Sequence, residues 1–524
     1  MNVSRGSPEA LAVVVLLPAH RARLWQAQAA RSLLGLPGIE VQVCHVEAAP
    51  SGDVEWLRLM AATPALHEVS APRAEPPCGR RCDVVVDLAG SGEAEPWHTL
   101  SRHGVWRICD AQGQDLSGAF CCHTAICSGA GAELLLLDQA NRVLGTLRFH
   151  AEPDYSASLP ALYGQAPWLI QRALTSLQAG GIAASRSVFR PGAVPTARQR
   201  SWQRRAGQVE VCLRKWSSRW LSENWMVGIV DAPIQDVLSP APPMKIRWLG
   251  RRAQRYYRAD PFAVPGQSQR LYCEQFDYRS GLGRIVMLEL DSECRVAATT
   301  EVPLPSHGHA SYPYLFEHDG RHFCIPETAA ERCCLLYEVE ADGQWRFVAT
   351  LLADVAAADA TLFHWDGLFW LAYTDVALGG FDNLCLSWAH DLAGPWQPHA
   401  CNPVKIDHRS SRPAGTPFVH EGHLYRPAQD CGSGYGQAVV INQVMHCTPQ
   451  HYHEEPMRRL SPDPHGRNPH GLHTVSAWGK RTLVDGKRRQ LNLLALQRKL
   501  VRRLLGGGGM PMLASTRSLG EEAP

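Results

Sequence analysis

Asp260 and Asp359 each stand before a strand-like apolar run rather than inside a turn, which leaves both carboxyls available for chemistry. Polar residues open or line comparable runs nearby. They are His307-Gly308-His309 with Tyr312, then Arg412 and His473, and on the partner runs Glu274, Glu327, Arg426, Gln429, Asp430 and Glu454. Breaking or transferring a glycosidic bond needs one carboxyl that holds a proton and one that is ionised, with further acids or an arginine to drive their pKa values apart. Asp260, Asp359, Glu327 and Glu454 are the candidates for that catalytic work. Glu274, His309, Tyr312, Arg412, Arg426, Gln429, Asp430 and His473 are the candidates for holding a sugar. The aspartates of Asp319-Gly320, Asp366-Gly367 and Asp485-Gly486 read as hairpin turns and are set aside.

Residues so far apart in sequence meet only if a repeat brings them together. Beyond Trp225, runs rich in Tyr, Phe, Trp and Val recur between Asp-Gly, His-Gly and Gly-Gly turns. Aligned on a small or acidic residue followed by an apolar strand, a turn and a second strand, they start at 259, 311, 359, 415 and 471, spacings of 52, 48, 56 and 56. A period near 50 with several strands per copy suits propeller blades, which bury their faces only against neighbouring blades. The expectation is an all-β five-bladed β-propeller over 223–486, with the strand-opening residues converging on a central funnel.

Residues 1–185 read as an α/β domain, Rossmann-like in layout. The candidate strands are Ala10–Leu17, Ile39–Val46, Asp83–Leu88, Gly104–Cys109, Glu133–Leu137 and Val143–Phe149, with helices at Arg21–Leu34, Val54–Ala62 and Pro160–Leu177. Pro18-Ala19-His20 follows the first strand where a dinucleotide cradle would need Gly-x-Gly-x-x-Gly, so no such cofactor is expected. A Pro-, Gly- and Arg-rich linker and helix fill 186–222, and 487–524 hold a basic amphipathic helix, expected to pack on the propeller or on a partner of its own rather than to anchor at a membrane, and a disordered tail from Gly506.

The 524 residues carry 52 Lys and Arg against 50 Asp and Glu, a balance that argues against a nucleic-acid partner. No apolar run is long enough to span a membrane. The 17 cysteines are odd in number, Cys212, Cys324 and Cys385 fall in apolar runs, and no secretory signal precedes them, so reduced thiols in the cytoplasm are expected. Cys121-Cys122-His123 with Cys127, Cys78 with Cys82, and His465, His470 and His473 lack the paired spacing of a zinc site, so no metal and no cofactor is expected.

Several phrases carry a resemblance: Tyr257-Arg258-Ala259-Asp260-Pro261-Phe262, Cys273-Glu274-Gln275-Phe276-Asp277-Tyr278, His309-Ala310-Ser311-Tyr312-Pro313 through Ile325-Pro326-Glu327-Thr328, Arg412-Pro413-Ala414-Gly415, Arg426-Pro427-Ala428-Gln429-Asp430-Cys431 and Gly471-Leu472-His473-Thr474. In this order they resemble the N-terminal domain of plant glucosamine inositolphosphorylceramide transferases and its bacterial relatives. More distantly the layout is similar to family-43-type glycoside hydrolases. That resemblance implies that Asp260 is a general base and Asp359 an acid that tunes its partner's pKa. Gly415-Thr416-Pro417 stands where such hydrolases carry their acid, a departure from the hydrolase pattern that leaves Glu327, Asp430 or Glu454 as substitutes. The bacterial relatives also imply a formyltransferase-like domain before the propeller, although Asn-x-His is absent and only Ser158-Leu159-Pro160-Ala161-Leu162, after His150 and Asp154, recurs from that pattern.

Three functions stand open on these readings. The first is a carbohydrate-active protein that binds and processes a glycan or glycolipid precursor in the funnel, with a separate glycosyltransferase as the partner the resemblance implies. The second is a non-catalytic glycan-binding scaffold, and the third a sugar-amine formyltransferase.

Overall fold

The computed structural model describes residues 10–504 apart from 20–21, 47–61, 65–66, 70–80, 92–96, 152–153, 179–187, 193–195, 241–244 and 306–307. Most of the expected helix Val54–Ala62, Cys78, His307 and the tail from Gly506 lie outside the described residues. The chain divides into two compact units, Met1–Leu213 and Arg214–Pro524.

In the first unit the apolar runs become strands Leu11–Pro18, Ile39–Val46, Val84–Asp87, Val105–Asp110, Ala132–Leu137 and Val143–Phe149, each within one residue of its expected ends. Their order in the sheet is Ile39–Val46, Leu11–Pro18, Val84–Asp87, Val105–Asp110, Ala132–Leu137, Val143–Phe149. The first four run parallel, Ala132–Leu137 pairs antiparallel with the fourth, and Val143–Phe149 pairs antiparallel with Ala132–Leu137. Helices Leu24–Leu34, Tyr155–Gly164 and Ala166–Gln178 accompany the sheet; the last two replace the single helix expected from Pro160. Between Val84–Asp87 and Val105–Asp110 only the four-residue helix Trp97–Leu100 is described. A Rossmann-like layout needs a crossover helix between successive parallel strands. What this sheet supports is the coarser description, a mixed α/β layer.

In the second unit five antiparallel sheets follow one another, and all are four-stranded apart from a short additional pairing in the third. Blades I to III begin with strands Tyr256–Ala263, Ser311–His318 and Ala357–Trp365. Blade IV begins with Phe418–His420 and blade V with Val475–Trp478. Blade V is composite. Its inner strands are Val475–Trp478 and Arg481–Leu491, and its outer strands, Leu221–Val230 and Ile246–Trp248, come from the start of the unit. Ten residues, Leu221 to Val230, pair with Leu491 to Thr482 and lock the two ends of the ring together.

These blades have no single core. Apolar clusters fill the seams between neighbours: Phe262, Tyr312, Tyr314 and Leu362 across blades I to III, Trp370, Leu384, Leu424 and Val444 between III and IV, Val230, Phe418, Val439 and Val475 between IV and V, Ile229, Leu271, Leu288 and Leu483 between V and I. A sheet buried on both faces needs continuous rather than alternating apolar runs. Leu368–Asp375, with its six central residues all buried, shows that pattern.

Asp319-Gly320 and Asp366-Gly367 make the expected hairpin turns, with positive φ at both residues of each pair. Asp485-Gly486 does not. It lies in the middle of Arg481–Leu491, where a Cβ on Gly486 would fall 2.3 Å from the Trp248 ring. That glycine admits a neighbouring side chain rather than turning the chain. The C-terminal helix, expected on the propeller, runs Leu493–Leu504 and buries Ala495, with Arg498 over the Phe276 ring of blade I.

Candidate functional site

The inner strands of blades I, II and III each break register at the same place, between Ala259 and Phe262, Ser311 and Tyr314, and Ala358 and Thr361. At each break one residue takes a left-handed backbone: Asp260 at φ 51, Tyr312 at φ 42 and Asp359 at φ 51. That region is uncommon for residues other than glycine, and a bulge of this kind re-aims a side chain. Pro261 and Pro313, with no N–H to give to the ladder, follow two of the three. In this way a local irregularity, repeated blade by blade, turns two carboxyls and a phenol out of their sheets.

Asp260 meets blade V. Thr474 donates to its Oδ1 at 2.8 Å, His473 Nε2 stands 3.4 Å away, and the Asp260 N–H donates to Asp485 Oδ2 at 3.1 Å. His473 is clamped from behind, its Nδ1 2.5 Å from Asp485 Oδ2 and its ring stacked 3.9 Å from Trp225. Asp359 meets blades II and IV. Its Oδ2 lies 2.5 Å from Arg412 Nε and accepts from Gln429 at 2.6 Å, while its N–H donates to Glu327 Oε2 at 2.9 Å. Tyr312 reaches from blade II toward blades III and IV: it pairs with Thr361 Oγ1 at 2.9 Å, and its oxygen accepts from the Gly415 N–H at 2.7 Å. Gly415 has φ 123, and a Cβ there would fall 1.9 Å from the Val475 carbonyl oxygen, so no side chain stands at the head of blade IV.

Five carboxyls, those of Asp260, Glu274, Glu327, Asp359 and Asp485, are buried within electrostatic reach of one another. Burial disfavours the charged form, and like charges add to that penalty. Burial pushes the Asp260 carboxyl up; His473 draws it down and Asp485 up, for a net rise to about 6. Burial likewise lifts Asp359, Arg412 opposes and Glu327 assists, and the result is about 7. Glu274 is held well above the ordinary carboxylate range by burial and by its acidic neighbours, Asp260 first. Its Oε1 accepts no hydrogen bond and faces His309 Nε2 at 3.4 Å. His309 in turn is drawn down to about 4 by burial and Arg284. For Asp485 burial acts upward, but His473 outweighs it and the carboxyl sits below its ordinary value; for His473 burial acts downward, but Asp485 and Asp260 outweigh it and the ring sits above. Coupled so closely, Asp260, His473 and Asp485 titrate as a set.

The structure thus brings together Asp260, Glu274, His309, Tyr312, Glu327, Asp359, Arg412, Gln429 and His473. It places three other candidates elsewhere. Arg426 and Glu454 form their own buried pair, closed by Lys405 at 2.8 Å and Tyr452 at 2.6 Å. Asp430, one residue along the strand from Gln429 and so facing the other way, pairs with Arg459 at 2.7 Å and accepts from the Gly432 N–H. Sequence reading missed Asp485, taken for a turn, and with it Thr474, Trp225 and Tyr435, whose ring stands 5.2 Å from that of His473 and 5.2 Å from the Arg412 guanidinium. The run Thr482-Leu483-Val484 leading into Asp485 was the available sign of a strand.

Asp260, His473 and Asp485 present ligand atoms within 4.8 Å of one another, as do Asp110, Cys121 and Cys122 in the first unit. In the second set Asp110 accepts from the N–H groups of Gln112, Gln114 and Cys122, and the two thiols donate to the carbonyls of Gln114 and Glu133. Those hydrogen bonds are a structural use of all three residues. Cys324 and Cys385 lie in strands of the second unit as thiols outside any disulfide, whereas Cys212, expected in an apolar strand-like run, is exposed on helix Ala197–Trp220, because that segment is helical.

Residues 257–471 match the family described as glucosamine inositolphosphorylceramide transferase 1, N-terminal. Among curated relatives, glucosamine inositolphosphorylceramide transferase 1 of Oryza sativa subsp. indica is 31% identical over 209 residues, 38% of this chain and 28% of that protein. Its counterpart in Arabidopsis thaliana is 27% identical over 205 residues, 38% of this chain and 27% of that protein. The chain therefore spans little more than a quarter of the length of these relatives. Similar solved structures include an exo-beta-1,3-galactanase from Clostridium thermocellum (TM-score 0.31, 12% identity, 40% of this chain and 52% of that one). Another is a family 117 glycoside hydrolase from Zobellia galactanivorans (TM-score 0.30, 14% identity, 40% and 72%). At such scores the likeness bears no weight, and the propeller stands on the strand pairings above.

Proposed function

We propose that the propeller binds a glycan or glycolipid precursor over the Asp260–Asp359 cluster and acts on its glycosidic bond. The observation that carries this reading is the pair of identical bulges that aim Asp260 and Asp359 into one cluster, with partners of opposite effect that bring both carboxyls to ionise near neutral pH. General acid–base chemistry works best with groups poised at the operating pH. Asp260 is the base, with His473 held against it by Asp485. Glu274 is the acid, because it keeps its proton and has an oxygen without a hydrogen bond. Asp359, neutralised by Arg412, sets the field between them. The matched family, described as glucosamine inositolphosphorylceramide transferase 1, N-terminal, supports a sugar or glycolipid as ligand. A partner glycosyltransferase belongs to the same proposal.

One observation favours the scaffold reading instead: blade IV offers Gly415 where an acid would complete a hydrolase-like set. A glycan found by array binding, followed by a product assay, separates the two. An enzyme loses turnover in Asp260→Asn and Glu274→Gln while binding the glycan within a few-fold of wild type. A protein that binds and never releases product is a scaffold. Formyl transfer by residues 1–185 is the weakest of the three, since Asp154 is spent capping helix Tyr155–Gly164, accepting from the Ala157 N–H at 3.2 Å. A formyl-folate that binds residues 1–185 saturably would restore it.

A further inference from the structure

The helix Ala197–Trp220 is amphipathic in the inverse sense. A helix on a water-soluble unit buries its apolar stripe and turns its charges to solvent. On this one Trp202, Val209, Leu213, Trp216 and Trp220 follow at intervals of seven, four, three and four, which places them in one stripe. They are 71%, 59%, 60%, 62% and 50% exposed. The covered side is the polar one. Arg200 is buried with its guanidinium 4.0 Å from the centre of the Phe120 ring, Gly207 is buried, and Thr124 pairs with Gln203 at 3.4 Å.

Charge distinguishes what the stripe is for. The helix carries Arg198, Arg200, Arg204, Arg205, Arg214, Lys215 and Arg219 against the single acid Glu210, an excess of seven minus one, or six. Arg198, Arg205 and Arg219 fall on one heptad line that borders the stripe, and all three are exposed. We propose that this helix docks on an anionic lipid surface. Its three tryptophans enter the boundary between headgroups and acyl chains, and the bordering arginines pair with lipid phosphate and carboxylate groups. Tryptophan on one face and arginine beside it is the composition that lies in a membrane interface. Pairing with a second copy would instead bring two helices together that each carry an excess of six positive charges. Among the described residues no helix is long and apolar enough to cross a membrane, so the element lies on the surface, over about 36 Å of its length. The helix Leu493–Leu504 has the same character: Arg498, Lys499, Arg502 and Arg503 with no acid, and Leu493 and Leu500 exposed. This proposal is independent of whether the propeller turns over a sugar.

Flotation of the full chain with vesicles of phosphatidylcholine, alone or with about 30% phosphatidylserine, tests it. The chain should float with the anionic vesicles only, with its tryptophan emission shifted to the blue, and should come off as salt rises from about 0.1 M to about 1 M. The triple variant Trp202→Ser, Trp216→Ser, Trp220→Ser should lose at least about tenfold in vesicle affinity with little change in melting temperature, because half or more of each side chain is exposed in the free protein. Arg205→Glu with Arg219→Glu should do the same on anionic vesicles. A chain that stays at the bottom of the gradient, or that floats equally well with neutral vesicles, overturns the proposal. So does light scattering that shows a dimer abolished by the tryptophan changes, which would assign the stripe to a second copy.

Discussion

Two buried ion clusters lie in the same propeller, built from the same residue types, and their charges balance differently. Around Glu454 one acid meets two bases: Arg426 grips both its oxygens at 2.9 and 2.6 Å, Lys405 adds a third contact, and Tyr452 a fourth. Burial pushes that carboxyl up, but Arg426 and Lys405 outweigh it and hold it down to about 2. Around Asp260 and Asp359 five acids face Arg412 and His473, and the surplus stays partly protonated. A cluster that closes its own charge is a structural joint, whereas one left with exchangeable protons is placed to trade them with a ligand.

The comparison breaks most visibly in stability. Arg426→Ala leaves Glu454 buried without its main partner and should cost about 3–5 kcal/mol in denaturant unfolding. Arg412→Ala should cost markedly less, because Asp359 already ionises near pH 7 and takes up a proton when its cation leaves. Equal losses at the two sites would erase the distinction.

Next in size is chemistry without stability. Asp260→Asn should lower turnover of a processed glycan by about 10²- to 10⁴-fold, the usual contribution of a positioned base. Its melting temperature should stay level or rise, since a buried charge is removed.

The pH dependence of unfolding sharpens the same contrast. Glu454, depressed in the folded state, contributes stability that is present above its unfolded pKa and lost as pH falls toward 2. Asp260 and Asp359, raised in the folded state, act in the other direction. They cost nothing below about pH 4, where both states are protonated, and the cost grows as pH rises through 6 and 7. Asp359→Asn should therefore flatten the fall in stability between pH 4 and 7 and leave the acid limb unchanged. A parallel shift of the whole curve would contradict it.

The smallest effects concern the Asp-Gly pairs. Gly486→Ala should cost about 1–3 kcal/mol by driving a methyl into Trp248. Asp366→Ala, in an exposed turn, should cost about 1 kcal/mol, the strain of an alanine at positive φ, with no clash added.

Those pairs also show what sequence conveys and what it withholds. Asp319-Gly320 and Asp366-Gly367 were legible as turns because a hairpin is a local event. Asp485-Gly486 carries the same two residues, but its conformation is set by Trp248 and by a strand partner in Leu221–Val230, far away in the chain. The blade heads were legible because aromatic and branched runs recur with a steady period, and Asp260 and Asp359 stood out because they precede strands. Whether an acid closes a pair or joins a surplus depends on partners tens of residues away. Glu454 and Asp430 were therefore inseparable from Glu327 and Glu274 by type alone. The composite fifth blade escaped for the same reason, since Glu223 meets Lys487 across 264 residues.

The central claim, that Asp260 ionises near neutral pH where a sugar binds, is tested most directly by calorimetry of one bound glycan from about pH 4.5 to 8, in buffers of differing ionisation enthalpy. Wild type should show an affinity that changes through a group titrating at about 6, with protons exchanged on binding, and Asp260→Asn should lose both the inflection and the proton exchange. An affinity that is flat across this range, or an inflection that survives in Asp260→Asn, would contradict the account.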